Sequence, residues 1–307
     1  MQIVAIIQAY NEQRFIGDCI DHLAAQGVSA YLIDNESTDD TVAIAEARLD
    51  KNLIGIETLA RDGHFALRNQ LARKEQLAQS LDADWFIHLD ADEFRVSPDQ
   101  GRSLAQSIAE LDEAGFNAVN SLEFTFMPTR EAPDHDHPDF LETMRSYYPF
   151  LPKFPHRLNI WKRQDGPVDL MRSGGHVISF PDLKMAPRSM YSRHYLFLGP
   201  SHVERKFGPG RYASEEVAAG WFGWRSEVNP TMMELPSERE LRRYVADHLL
   251  DPSEPRTQHI AKGWVASSTS SNKPTPSWRR RPVAMLRRAA KSGRRATRTA
   301  GKQRRRA

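Results

Sequence analysis

Two aspartates separated by one residue, Asp90 and Asp92, follow the apolar and aromatic run at 85–89. Such a run predicts a buried strand. In an open α/β sheet, ligands bind at the carboxyl ends of parallel strands. Two carboxylates there suit Mg²⁺ or Mn²⁺ that is also held by the phosphates of a ligand. The alternative is a solvated acidic turn, and the aspartate pair alone does not decide between them.

The elements that would position these aspartates form a regular alternation over residues 1–126. Strands are predicted at 3–8, 30–34, 53–59, 84–90 and 118–126, and helices at 15–25, 41–47, 64–81 and 97–114. Ser97-Pro98-Asp99-Gln100 supplies a cap, a first-position proline and a glutamine, so we place the start of the fourth helix there. This alternation predicts a doubly wound, mostly parallel α/β sheet.

The alternation breaks after residue 126. A Pro-, Asp- and His-rich segment at 131–138 predicts a mobile loop. Strands are predicted at 157–162, 176–180 and 190–198, and helices at 214–221 and 237–249. We therefore expect one domain over 1–265, with a nucleotide-binding half at 1–126 and an acceptor-side half at 127–265.

The last part of the chain has a different composition. Residues 273–307 hold 14 of the 42 Lys and Arg residues and none of the 40 acids. We expect 266–307 to be a disordered Arg-rich tail, because its composition cannot bury a core. Such a tail solubilises the protein, or binds anionic membrane lipids. Nucleic acid is an unfavoured partner, because residues 1–272 are acidic on balance.

Composition also bears on location. The single cysteine, Cys19, cannot form an intrachain disulfide, which is compatible with a reducing compartment. The first residues lack the basic region of a signal peptide. No apolar stretch approaches the roughly 18 residues that span a bilayer. We expect a cytoplasmic protein, with the tail as a route to peripheral attachment at the inner face of the membrane.

Polar residues also follow the first two strands. Ala9-Tyr10-Asn11-Glu12 comes after the first strand, and Asp34 ends the second, where it could accept hydrogen bonds from a ribose or a base. No G-x-G-x-x-G follows the first strand and no P-loop motif occurs. The common dinucleotide and P-loop interpretations therefore lack support.

These segments together resemble a known family. Ala-Tyr-Asn-Glu at 9–12, Asp-Asn-Glu-Ser-Thr-Asp-Asp-Thr at 34–41, Arg-Asp-Gly-His at 61–64, Arg-Asn-Gln at 68–70 and Asp-Ala-Asp-Glu-Phe at 90–94 are similar, in order and spacing, to the family 2 type of GT-A nucleotide-sugar glycosyltransferases. The resemblance covers residues 3–126. Asp34-Asn35 departs from the family's usual Asp-Asp, and the Q-x-x-R-W signature of processive synthases is absent.

The resemblance implies roles for individual residues. Asp90 and Asp92 would hold Mg²⁺ or Mn²⁺ against the two phosphates of the donor. Tyr10, Glu12 and Asp34 would line the nucleoside pocket. Asp62 and Arg68 would lie near the diphosphate or the base.

The second half offers fewer assignments. His194 ends an apolar run and is either an additional metal ligand or a structural histidine. Lys206 and its neighbour Arg205 could neutralise phosphate. No clear motif marks the general base that an inverting transfer needs. Asp169, His176 and Asp182 are unranked candidates for that role.

The resulting hypothesis is a metal-dependent, non-processive transfer of a sugar from a nucleotide-sugar donor to an unknown acceptor, such as an envelope or lipid-linked glycan. One alternative is a metal-dependent nucleotidyl- or phosphotransferase on a similar sheet. The other is a nucleic-acid-binding protein whose affinity comes from the tail.

Overall fold

The fold is known from a computed structural model that describes residues 1–61 and 63–265. Asp62 and the predicted tail at 266–307 lie outside the described residues. The strands are β1 Ile3–Ala9, β2 Ser29–Asp34, β3 Leu53–Thr58, β4 Trp85–Asp90, β5 Glu93–Val96, β6 Ala118–Phe126, β7 Ser146–Phe150, β8 Arg157–Lys162, β9 Met190–Tyr195 and β10 Arg242–Arg243. The α-helices are α1 Ile16–Ala25, α2 Thr41–Glu46, α3 Leu67–Ser80, α4 Leu104–Glu113, α5 Phe140–Thr143, α6 Pro200–Lys206 and α7 Ser214–Ala218.

The main sheet has the strand order β10-β7-β6-β8-β4-β1-β2-β3. Strands β3, β2, β1 and β4 pair in parallel, as predicted for the first half. The second half extends the sheet through the antiparallel pairs of β8, β6, β7 and β10. Strand β9 runs parallel to β6 and antiparallel to β5. The predicted α/β class and doubly wound sheet are confirmed.

Helices cover both faces of the parallel strands. All seven residues of β1 are buried. Ile3, Ala5 and Ile7 join the apolar cluster on the α1 side, whereas Val4 and Ile6 join the cluster on the α3 side. Successive side chains of a strand point to opposite faces, so this division is the direct result of an apolar run with no polar alternation. The carboxyl ends of β1 and β4 are thereby held in place from both sides.

The fourth helix begins later than predicted. Ser103 is the N-cap of α4: its Oγ accepts a hydrogen bond from the Gln106 backbone at 3.2 Å, and the Gln106 side chain accepts one from the Ser103 backbone at 2.9 Å. The earlier Ser97 caps only a turn, accepting from the Asp99 backbone at 3.1 Å. Gly101 has a φ of +74°, a left-handed conformation that separates the two segments.

Local patterns predict the second half less well. Residues 176–180 make isolated bridges and no strand. Residues 237–249 form short 3₁₀ turns around β10 where a helix was predicted. The edge of the sheet takes up Arg242 and Arg243 as partners for β7, and this tertiary pairing overrides helix propensity. Strands β5, β7 and β10 and helices α5 and α6 were not predicted.

Among the described residues, none of the helices is both long and apolar enough to cross a membrane.

We expect Ser103→Ala to lower the free energy of unfolding by about 1 kcal/mol, because the capping box of α4 loses its side-chain acceptor. Urea denaturation measures this change. Ser103→Asp is the matched control, since aspartate also caps helices and should retain most of the stability. Equal losses in both variants would contradict the role of Ser103 as the cap.

Candidate functional site

A cleft of about 920 Å³ opens at the carboxyl ends of β1 and β4. One wall comes from Tyr10 and Glu12, which follow β1, and from Asp90 and Asp92 at the end of β4. The opposite wall comes from the second half of the chain, including α6 and the segment 220–225. The cleft therefore lies where parallel α/β sheets bind their ligands.

Lys206, at the end of α6, joins the two strand ends. Its Nζ lies 2.8 Å from Asp92 Oδ2 and 3.1 Å from Glu12 Oε1. Burial raises the pKa of Glu12 to about 7, with Lys206 opposing the rise and Asp92 adding to it. Burial would also raise the pKa of Asp92, but Lys206 and His194 outweigh it and hold that pKa well below its usual range. Asp92 is thus an anion held between cations.

Asp90 lies beside this group with a different environment. Its Oδ1 accepts a hydrogen bond from the Gln8 side chain at 2.9 Å. Burial and the nearby Glu93 raise the pKa of Asp90, against the opposing charge of Lys74. Asp92 Oδ1 is buried and has no hydrogen-bond partner among the described residues. The end of β4 therefore presents two carboxylates, and one of their oxygens accepts no hydrogen bond from the described residues.

His194 faces both Asp92 and a second buried carboxylate. Its Nδ1 lies 2.8 Å from Glu123 Oε1, and its Nε2 lies 3.6 Å from Asp92 Oδ1. Burial lowers the pKa of His194, but Glu123 and Asp92 outweigh burial and raise it to about 9. A protonated imidazole has no free lone pair for a metal. In this arrangement His194 is an ion-pair partner of Asp92, and it would have to lose a proton to act as the predicted ligand.

A network of buried charges lies beneath the cleft. Arg157 Nη2 lies 2.9 Å from Glu123 Oε2, and Arg157 Nη1 lies 3.2 Å from Glu93 Oε1. Arg95 Nη2 lies 2.7 Å from Glu93 Oε2. All four side chains are at most 5% exposed. Sequence reasoning missed this network, although charged residues inside otherwise apolar strands were a signal for it.

The structure separates the predicted nucleoside and diphosphate residues. Tyr10 lines the cleft with the Arg61 guanidinium 3.4 Å above its ring centre. Asp34 is buried at the end of β2 and accepts from the Ser37 backbone at 3.1 Å, outside the lining of the cleft. Arg68 is exposed, with its guanidinium over the Trp221 ring. Glu12 and Lys206 therefore lie in one group with the two β4 aspartates. Arg68 lies outside this group.

Of the three general-base candidates, the structure brings His176 into the cleft. Asp169 Oδ1 accepts from the Arg172 backbone at 2.9 Å, and Asp182 lies on an exposed turn with a φ of +53°. Neither lines the cleft.

The protonation of the His176 ring does not suit a general base. Its Nδ1 lies 3.2 Å from Arg157 Nη1, so this nitrogen accepts and Nε2 carries the proton of the neutral ring. Burial and then Arg157 lower the pKa of His176 well below its usual range. This chemistry disfavours proton abstraction from an acceptor hydroxyl.

The parallel strand order β3-β2-β1-β4, with a cleft at the carboxyl ends of these strands, is consistent with the GT-A fold that the sequence resemblance implies. A sequence profile described as glycosyl transferase family 2 matches residues 4–160, slightly more than half of the chain. The chain belongs to this family. Membership of this family favours glycosyl transfer over the nucleotidyl- or phosphotransferase alternative.

Two solved structures illustrate how distant the structural neighbours are. TarS residues 1–349 from Staphylococcus aureus, in complex with UDP, is 14% identical, with 63% of this chain and 60% of that chain covered and a TM-score of 0.37. Glucosyl-3-phosphoglycerate synthase from Mycobacterium tuberculosis, in complex with phosphoglyceric acid, is 20% identical, with 40% and 44% covered and a TM-score of 0.29. Similarity at this level says nothing about substrates. No curated protein matches this chain in sequence.

The ion pairs of His194 should make stability depend on pH. The folded-state pKa is raised to about 9, so the stabilisation is complete below the unfolded pKa of roughly 6.5 and is lost as the pH rises through about 9. We expect the unfolding free energy of the wild type, minus that of His194→Gln, to fall by on the order of 3 kcal/mol between about pH 6 and about pH 10. Urea denaturation of both proteins at the two pH values tests this, and a constant difference would contradict it.

Proposed function

We propose that this protein is a metal-dependent, non-processive glycosyltransferase that moves a sugar from a nucleotide-sugar donor to an acceptor hydroxyl. The observation that carries the proposal is the meeting of Asp90 and Asp92 with Glu12 and Lys206 at the carboxyl ends of β1 and β4. Family membership supports glycosyl transfer. The metal and the donor are supported by the chemistry of these side chains.

The side chains at the end of β4 fit Mg²⁺ or Mn²⁺ shared with a ligand. Within the described residues, no group of three or more His, Cys, Asp or Glu side chains could hold a metal alone. Such cations are commonly held by one or two carboxylates together with phosphates, so Asp90 and Asp92 would supply the protein ligands. Asp92 Oδ1 makes no hydrogen bond within the described residues and lies 3.6 Å from His194 Nε2 of its ion pair, which is consistent with this role. A bound cation would neutralise the charge that develops on the nucleoside diphosphate as its bond to the sugar breaks.

The other side chains of this end would bind the donor. Lys206 can offer its ammonium to phosphate oxygens, in place of part of its present pairing with Asp92 and Glu12. The Tyr10 ring, now covered by Arg61, offers a flat face for a base. These contacts would orient the donor so that its sugar points toward the second-half wall.

For the acceptor, we propose a glycan or a lipid-linked compound on the cytoplasmic side of a membrane. The support is the sequence of the basic segment at 273–307, whose charge would attract anionic lipids. This segment lies outside the described residues.

We expect Asp92→Asn to reduce nucleotide-sugar turnover by at least about 100-fold, because one anionic ligand of the shared cation becomes neutral. A panel of nucleotide sugars with Mn²⁺ and Mg²⁺ provides the assay. Stabilisation of the variant by UDP or GDP with Mn²⁺ should also disappear in a thermal-unfolding measurement.

The matched control for this prediction is Asp182→Asn. It makes the same chemical change on an exposed turn, where asparagine tolerates the positive φ. Turnover by this control should equal that of the wild type. Full activity or full Mn²⁺-dependent nucleotide binding in Asp92→Asn would overturn the metal assignment.

A further inference from the structure

Most cations that line the cleft face carboxylates of the chain itself. Lys206 faces Asp92 and Glu12, Arg157 faces Glu93 and Glu123, and Arg14 and Arg205 face Asp136. Arg225 also lines the cleft, but its side chain donates no hydrogen bond and forms no ion pair with any group in 1–61 or 63–265. Its five N–H donors are therefore available to a ligand.

The Arg225 guanidinium is held in place without being neutralised. It lies 5.2 Å from the Trp224 ring centre and 6.0 Å from that of Phe207. The Gly208 backbone donates to the Arg225 carbonyl at 2.9 Å, which anchors the turn Gly223–Ser226. Aromatic rings within about 6 Å attract a guanidinium through their faces and leave its N–H donors free for an anion.

A second donor without a partner lies next to it. Trp224 lines the cleft and is 9% exposed, and its buried Nε1–H has no hydrogen-bond acceptor among the described residues. Buried N–H groups are nearly always paired in folded proteins. An oxygen atom of a ligand bound at Arg225 would satisfy this donor.

The charge of Arg225 acts on Tyr212, on which Lys206 and Glu12 of the donor end also act, and on two histidines of the second half. Lys206 and His194 are the cations that act on Asp92. Arg225 instead contributes to lowering the pKa values of His176 and His259, for which burial is the largest cause. The surroundings of Arg225 are thus neutral imidazoles and aromatic rings, which do not compensate a positive charge.

We propose that Arg225 and Trp224 bind an anionic group, a phosphate or a carboxylate, carried by the acceptor. This inference rests on the proposed function, because it assigns the donor diphosphate to Lys206 and the β4 aspartates. The substrate class is then a hydroxyl compound with a phosphate or carboxylate. The guanidinium edge forms paired hydrogen bonds with either group, and the indole N–H donates to a further oxygen.

The test uses the full chain with saturating UDP and Mn²⁺ and three probes of one skeleton: glycerol 3-phosphate, glycerate and glycerol. Titration calorimetry should show binding of at least one anion and at least about tenfold weaker binding of glycerol. Binding of glycerol 3-phosphate alone identifies a phosphate site, and binding of glycerate identifies a carboxylate site.

Arg225→Gln should weaken binding of the anion by about tenfold or more and leave UDP affinity within about twofold. Arg243→Gln, an exposed arginine of β10, is the matched control and should bind both as the wild type does. Trp224→Phe keeps an aromatic ring under Arg225 and removes the N–H, so it should also weaken the anion selectively. If Arg225→Gln does not fold, anion binding by Trp224→Phe tests the inference instead.

Three results would overturn the inference: glycerol bound as tightly as the anions, anion binding unchanged in both variants, or an equal loss of UDP affinity in Arg225→Gln. The last result would place Arg225 at the donor. Failure of UDP and GDP with Mn²⁺ to bind the wild-type protein overturns the proposed function instead, so the two failures are distinguishable.

Discussion

The buried carboxylate of Glu123 is the constraint on which the arrangement of the cleft depends. Removing an ion from water costs several kcal/mol unless good partners replace the lost hydration. Glu123 is fully buried on β6, and its partners Arg157 and His194 come from β8 and β9. The three strands must therefore pair in one register for the charge to be compensated. His194 also forms an ion pair with Asp92 at the end of β4, so the position of Asp92 depends on the same register.

This organisation divides the work of the cleft between two kinds of structure. Strands β1 and β4 are buried on both faces, so Glu12 and Asp92 start from a rigid frame. The opposite wall combines residues of β7, β8 and β9 with short helices and 3₁₀ turns such as α6 and Gly223–Ser226. A rigid end suits the constant chemistry of a diphosphate, whereas loops vary more readily and suit the recognition of a particular acceptor.

The first half could be predicted well because its signals are local. The apolar runs that form β1 and β4 are continuous, and the aspartates at 90 and 92 follow directly. The second half could not be predicted as well, because β10 and its neighbours depend on pairing with distant strands. The predicted start of α4 was wrong because the sequence offers two cap-like segments. Gly101 adopts a left-handed conformation between them, and the helix begins after the later one.

The sequence by itself determined the α/β class, the parallel strands of the first half and the position of the two aspartates at a strand end. Tertiary structure alone decided which side chains meet them. Lys206 is 114 residues from Asp92 and Glu123 is 71 residues from His194, so neither contact leaves a local pattern in the chain. The tertiary structure also places Asp169 and Asp182 outside the cleft. Periodicity records which face of an element is buried, whereas charge pairing across the fold depends on how distant elements pack.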